Sequence, residues 1–430
     1  MLAIATLAGC STTPSSTNGP VTLRVQFELG GTDAAIYKTY AKGFEATHKN
    51  VTVKLEGVTT AAKTGTNLTV LSSPNAPDVG LLPTNTPAYT SLVSKGGLVD
   101  LATVWKNQDL DKRYPTSIDA LTEYKNKHYV LAFSTVYYSF LYYNEDLFKK
   151  DGITVPADHR IASASQLYSI VDALKAGGSQ PLAMAGKSGF QASWMVDALL
   201  PTSANKSELA NYLDSSSPSV PVTAKFSSPA FVDTLKTLND YNEHGVFQTG
   251  FLGMVPGDTE SMFIAGKAGM LLDGSWESPV IRQAKVPFKF GFLLLPPVHT
   301  NETAQLDGFY GAEVVIPKTA KHIALAEQFL EYMVSDQGQA KAVAQAGSLI
   351  PAVNTVPTSA FKTLDPLVQE MQADVNKHGS QSGFTSVVPP AVGQTTLDPL
   401  IQSMYAGGTT PQAIGAKIQA SLVALRAQAK

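Results

Sequence analysis

Val21-Thr22-Leu23-Arg24-Val25-Gln26-Phe27-Glu28-Leu29-Gly30-Gly31-Thr32-Asp33 is the stretch from which the fold class can be read. Val21, Leu23, Val25 and Phe27 alternate with Thr22, Arg24 and Gln26, the period of a strand, and the Gly pair before Thr32 and Asp33 turns the chain toward a helix. Ile36, Tyr40 and Phe44 then recur at helical spacing, and Val51, Val53 and Leu55 resume alternation. A strand, helix, strand unit joined this way predicts parallel pairing and an α/β architecture. Asp78-Val79-Gly80-Leu81-Leu82 repeats the theme, opening into Pro83-Thr84-Asn85-Thr86-Pro87 and a helix that ends near Lys95-Gly96-Gly97. Ligands of open α/β sheets bind beyond the carboxyl ends of strands, so the loops at 28–33 and 82–87 are candidate contacts. A later helix carries Ile323, Ala326, Phe329, Leu330 and Met333 on one face, which reads as core.

The chain has 430 residues, 44% of them hydrophobic and 16% charged, enough for two or three domains. A net charge of -3 offers no cationic excess for phosphates and disfavours a nucleic-acid partner. Met1 to Ala8 is small and apolar, and Leu7-Ala8-Gly9-Cys10 precedes a run rich in Ser, Thr and Pro. That tetrapeptide resembles a bacterial lipobox: residues 1–10 read as a truncated signal peptide, Cys10 as the site of lipidation, and 11–20 as a flexible tether. Cys10 is the single cysteine of the chain, which precludes an internal disulfide and argues against a cysteine metal site. No other segment approaches ~18 uninterrupted apolar residues, so the expected location is extracytoplasmic with a lipid anchor.

Phe140-Leu141-Tyr142-Tyr143-Asn144-Glu145-Asp146-Leu147-Phe148-Lys149-Lys150-Asp151-Gly152 resembles the hallmark segment of the family 1 extracellular solute-binding proteins of bacterial ABC importers, the family that includes maltose-binding protein. Further motifs agree in order: Ala76-Pro77-Asp78-Val79, Phe263-Ile264-Ala265-Gly266-Lys267-Ala268-Gly269-Met270 with Gly274-Ser275-Trp276, and Val315-Ile316-Pro317-Lys318 through Gln337. The resemblance runs from about 21 to 430 and implies a two-lobe periplasmic-binding-protein-like fold of type II. Its N-terminal lobe would take 21–135 and 308–354, and its C-terminal lobe 140–305 and 356–430. Ligand would sit between lobes that close about a hinge.

A pyranose needs flat aromatic platforms for its C–H faces and planar polar groups for its hydroxyls. By resemblance Trp276 stacks on the sugar, Tyr137 is the cleft residue at the hinge with Tyr138 turned away, and Gln191 and Trp194 lie in a second-lobe contact loop. From the first lobe the resemblance nominates Glu28, Thr32, Asp33, Thr84 and Asn85, then Gly308, Phe309 and Tyr310 before the returning strand. Phe384, with Thr385, occupies a late loop that often carries another aromatic. Lys187 is the one cation seen in these loops, so a neutral hydroxylated solute fits better than a carboxylate or phosphate. Tyr137 stands where maltose-binding relatives place a carboxylate, so maltose itself does not follow.

Other function classes read less well. Pro181-Leu182-Ala183-Met184-Ala185-Gly186-Lys187-Ser188 ends like a phosphate-binding loop but has Pro where its first Gly is required. The seven His are scattered without metal-ligand spacing, so no metal or cofactor is expected. A secreted glycosidase could draw two carboxylates from 35 acidic residues, and a sensor-coupled receptor would share fold and cleft. The expectation is a monomeric, non-catalytic receptor that hands a sugar to permease subunits served by a separate ATPase.

Overall fold

β1 (Val21–Glu28) and β2 (Val51–Val58) pair in parallel as the alternation predicts, from Val21 opposite Val51 to Glu28 opposite Val58. The helix between them, Asp33–Thr47, turns Ile36, Tyr37, Tyr40 and Phe44 inward against Leu23, Val25 and Val53. This computed structural model describes residues 19–428 apart from 31, 60, 61, 85, 115–121, 217–222, 300 and 390. Cys10, the export segment, nearly all of the tether and Asn85 lie outside the described residues.

The strand read at 78–82 is shorter than its pattern, with only Gly80–Leu81 forming β3. Side chains replace its ladder: the Leu81 N–H donates to Gln26 Oε1 at 3.1 Å, and the Asp78 carboxylate accepts the Arg24 N–H at 2.9 Å. Val79 bridges Val25 in parallel, joining β3 to β1. On its other side β3 meets β9 (Leu306–Val315), which also pairs with β4 (Leu131–Tyr138), antiparallel in both cases. Periodicity anticipated the parallel start of this sheet but carried no trace of β9, which arrives from far along the chain. β10 (Ile350–Pro351) closes the edge beside β4.

A second sheet runs β6-β7-β5-β8, built from β5 (Phe140–Asn144), β6 (Gln180–Ala183), β7 (Ala268–Asp273) and β8 (Phe290–Leu293). Only Ser139 separates β4 from β5, and its φ of 65° puts the chain in the left-handed region where it changes sheet. That conformation is uncommon for a residue with a Cβ; the buried Ser139 hydroxyl donates to the Trp194 carbonyl, which secures the turn.

One apolar core covers the first sheet and continues under one face of the second, at Ala268, Leu271 and Phe292, while the other face of the second sheet has a core of its own. Around the first, Tyr40 meets Phe133 edge to face at 5.5 Å, and Phe44 meets Phe329 at 5.2 Å. The helix Ile323–Val334 contributes Ala326, Phe329, Leu330 and Met333 to this core, as its apolar stripe predicts. Leu141, Met270, Leu272 and Leu293 point to a second core completed by Tyr212, Phe226, Phe231 and, from late in the chain, Ile401 and Leu422. Alternation along β5 sends Phe140 and Tyr142 to the opposite face. The fold is therefore α/β with two lobes, as expected.

Late chain is tied back by a buried ion pair. Arg160 donates Nη1 and Nη2 to Oδ1 and Oδ2 of Asp374 at 2.8 and 2.9 Å, with Nε on the Ala304 carbonyl. Both residues are 9% exposed, so removing one partner leaves a desolvated charge. Asp374→Ala is expected to destabilise the protein by about 3–5 kcal/mol in urea unfolding; a change inside about 0.5 kcal/mol, the usual surface value, would mean that water replaces the partner.

Candidate binding site

Two tryptophans stand at the junction of the sheets. Trp276 follows Gly274 and Ser275 at the end of β7, and Trp194 lies on the helix Gly189–Ser203. Each is partly exposed within an otherwise buried run. Their ring centroids are 5.7 Å apart at 65°, and Phe190 and Tyr138 flank Trp194 at 5.2 and 5.4 Å. These are edge-to-face and tilted pairs that aromatic quadrupoles favour.

The crossover fixes both rings. Tyr137 donates its N–H to Ser275 Oγ at 3.1 Å and its carbonyl accepts the Ser275 N–H at 2.7 Å, while Ser139 holds the Trp194 carbonyl. The Tyr142 hydroxyl donates to the Gly274 carbonyl at 2.8 Å. Gly274 is required here because an added Cβ would lie 2.2 Å from the Trp276 ring, which folds over its backbone. A turn held from three sides presents its aromatic ring in one orientation.

Both hinge tyrosines are covered, Tyr137 at 4% and Tyr138 at 2% exposure, so neither ring is presented to solvent. Tyr138, expected to turn away, packs on Trp194 and donates its hydroxyl to Asp197 at 2.8 Å. Tyr137 is buried on the other face with its hydroxyl donating to Gln372 at 3.1 Å, because neighbours on a strand face opposite sides. Three more nominations are corrected. Phe384 is 1% exposed and packs among Tyr212, Phe226 and Phe231, so it is core. Gln191 is also 1% exposed and its Oε1 accepts the Ala185 N–H. Thr32 is buried with its hydroxyl 3.1 Å from that of Ser348.

The first-lobe loops converge on a residue that the sequence reading missed. Lys63 forms an ion pair with Glu28, and its charge also acts on Asp33 and Glu313. Thr84 donates its hydroxyl to Glu313 Oε1 at 2.6 Å and its N–H to Oε2 at 3.1 Å. Glu28, Asp33 and Thr84 thus belong to one polar cluster. The cation in it is already committed to Glu28, which preserves the expectation of a neutral solute. Gly308 and Tyr310 lie on β9 opposite Tyr137 and Thr135, with Phe309 opposite Val136. A Cβ at Gly308 would meet nothing closer than 3.8 Å, so packing does not demand glycine there.

The segment resembling a phosphate loop does lie between a strand and a helix, but its amides are occupied. Gly186 N–H donates to the Phe251 carbonyl and Lys187 N–H to that of Met254, in addition to the Ala185 bond.

These features define a two-lobe binding protein whose sheets meet at an aromatic pair. The profile of bacterial extracellular solute-binding proteins matches residues 30–340, and the chain belongs to this family. A multiple sugar-binding protein of Streptococcus mutans is 28% identical over 230 residues, covering 53% of this chain and 52% of that protein, so the match spans about half the relative's length. Among solved structures, a chitin oligosaccharide binding protein superposes with a TM-score of 0.75 at 22% identity, over 95% of this chain and all of the other. The GacH receptor of Streptomyces glaucescens, solved unliganded and with acarbose, gives 0.72 at 20%, over 94% and 97%. Proteins of this family are substrate-binding receptors rather than enzymes, and extracellular in placement. Among the described residues no helix is long and apolar enough to cross a membrane.

Burial pushes the Glu313 carboxyl up to about 7 against the lowering effect of the Thr84 hydrogen bonds, and Asp33 rises to about 7 for the same first cause. Between its ordinary value and about 7, folded Glu313 keeps a proton that the unfolded chain has released, so stability falls as pH rises through that interval. Urea unfolding is expected to give a Glu313 contribution on the order of 2–3 kcal/mol lost between about pH 4.5 and 7.5. Glu313→Gln should flatten the profile by that amount; an unchanged slope would remove Glu313 as its source.

Proposed function

We propose that the protein captures a neutral sugar or short oligosaccharide between its lobes and delivers it to the permease of an ABC importer. The observation that carries this reading is the Trp194–Trp276 pair, partly exposed and braced by the crossover that joins the lobes. Paired indoles offer apolar faces to pyranose C–H groups, while the polar cluster around Lys63, Glu28, Asp33 and Thr84 supplies donors and acceptors for hydroxyls. The relatives point the same way: one is a multiple sugar-binding protein, and solved neighbours include a chitin oligosaccharide binding protein, a receptor in complex with acarbose and a binding protein in complex with raffinose.

In this reading the lobes are those expected from the sequence, 21–135 with 308–354 and 140–305 with 356–430, and Tyr138 serves to brace the Trp194 ring. Closure is favoured because a bound sugar touches both lobes only in the closed form. The receptor works as a monomer tethered through Cys10 outside the cell membrane, and a separate ATPase supplies the energy. A glycosidase would have to present two carboxyl groups to the sugar. The acidic residues nearest Trp276 include Asp273 and Glu277, which are 1% and 2% exposed and so poorly suited to that task.

A thermal-shift screen of residues 21–430 against mono- and oligosaccharides, with amino acids, peptides, polyamines and phosphate as controls, is expected to give a rise with a few related sugars. Trp276→Ala should then weaken the best sugar by about 10- to 100-fold in calorimetry, equivalent to ~1.4–2.8 kcal/mol of lost stacking and burial, with an unchanged circular dichroism spectrum. Undiminished affinity would exclude Trp276 as the platform, and a hit confined to the controls would overturn the sugar.

A further inference from the structure

Three carboxyl groups meet on either side of Trp276 in the chain and on a neighbouring helix. Asp273 ends β7, Glu277 opens the helix Glu277–Gln283, and Glu260 projects from the helix Pro256–Ile264. One oxygen from each lies within 4.8 Å of the others. Glu277 Oε1 is buried and finds no donor among the described residues, and Asp273 Oδ2 has none within hydrogen-bond distance, although the Trp276 side chain lies near enough to favour the charged form of that carboxyl. Oδ1 of Asp273 is occupied by the Gly274 N–H at 2.8 Å. Among the described residues, none of the three carboxyl groups forms an ion pair with a Lys, Arg or His. Bare carboxylates so placed repel one another and lack the solvation that water would give. Burial and the neighbouring acids accordingly push Asp273 and Glu277 far above the usual carboxylate range.

We propose that Glu260, Asp273 and Glu277 form a binding site for a hard divalent cation, calcium in preference to magnesium. The donors are all oxygen, which excludes the softer metals that seek nitrogen or sulfur. Calcium accepts about six to eight oxygens at ~2.3–2.6 Å in irregular arrangements, so ligands facing each other across the ion stand about 4.8 Å apart. The three oxygens lie no further apart than that, so a single ion can be reached by all three. With Asp273 Oδ1 taken by Gly274, the three carboxylates still offer up to five oxygens without the octahedral regularity that magnesium demands. Glu260 is half-buried and marks the side from which the ion and its remaining waters enter. The ion's role is structural: it joins the 256–264 helix to the turn that carries Trp276 and neutralises charge beside the aromatic pair. The proposal stands apart from the identity of the solute, since none of these carboxyl groups is assigned to the sugar.

The test is calorimetric titration of the chelator-stripped protein with calcium chloride, and separately with magnesium chloride, at pH 7.5, alongside thermal melts in the same salts. One calcium per chain is expected to bind with a Kd of about 10⁻⁴ M or tighter, with magnesium at least about tenfold weaker and a calcium-dependent rise in melting temperature. Asp273→Asn and Glu277→Gln should each weaken calcium by more than about tenfold through loss of a charged ligand. Glu260→Gln, at the partly exposed position, tests the same point in a variant whose fold is least disturbed. No heat and no melting shift up to about 10 mM calcium, well above the range of weak extracellular sites, would overturn the proposal. So would calcium binding undiminished in Glu260→Gln, or a Glu277→Gln protein more stable than the wild type in a calcium-free buffer and a wild type indifferent to the ion, the signature of carboxyl groups that share protons instead.

Discussion

The antiparallel pairing of β4 with β9 is the constraint on which the rest of the structure depends. Leu131 meets Val314 at one end of the ladder and Tyr138 meets Asp307 at the other, so the two strands run together across the junction of the lobes. At the Val314 end β9 holds β3 in the first sheet, and at the Asp307 end it holds β11 (Ser380–Ser382), which begins the last part of the chain. β4 leads within one residue into the second sheet. The passage from the first sheet to the second therefore runs through a two-strand ribbon with the left-handed Ser139 at its end.

That ribbon also explains the position of the aromatic pair. Trp194 and Trp276 come from different elements, yet hydrogen bonds from Ser139 and Tyr137 bring both back to the same three-residue stretch of crossover. A ring anchored at a hinge senses rotation of one lobe against the other with little displacement of its own. The arrangement suits a receptor in which ligand contact and closure have to be linked, because the contacts made on closing are the ones that shift the population toward the closed form.

Much of this was legible in the sequence, for physical reasons that differ by element. The β1–helix–β2 unit showed itself because one face of each element is apolar and the other wet, so burial leaves a period of two or 3.6. Trp276 was nominated because a Trp after Gly-Ser is poorly placed for a strand core, and the structure puts it partly exposed beside Trp194. β9 was foreseen only through the resemblance, as a strand beginning after Tyr310, and its span of Leu306–Val315 was not, since its partners are far away in sequence and pairing leaves no local signature. The tyrosines were opaque for a related reason: alternation says that Tyr137 and Tyr138 face opposite ways without saying that both faces are covered. Phe384 was misread because a loop position does not reveal that Phe226 and Phe231 close over it. Lys63 and the trio around Asp273 were hidden because charge clusters are assembled by tertiary structure, from residues as far apart as Glu28 and Lys63 or Glu260 and Glu277.

The ladder has one more consequence, for how the molecule is made. Leu131 has to wait for Val314, 183 positions later, before its edge of the sheet is filled. A chain emerging from its amino end holds the β1–β2 pair early, but the sheet to which that pair belongs stays open until most of the sequence has appeared. Contacts of such range fold slowly, because loop closure has to be met before the contact is formed. A chain slow to commit stays threadable, and slowness of this kind is compatible with passage across a membrane in the unfolded state.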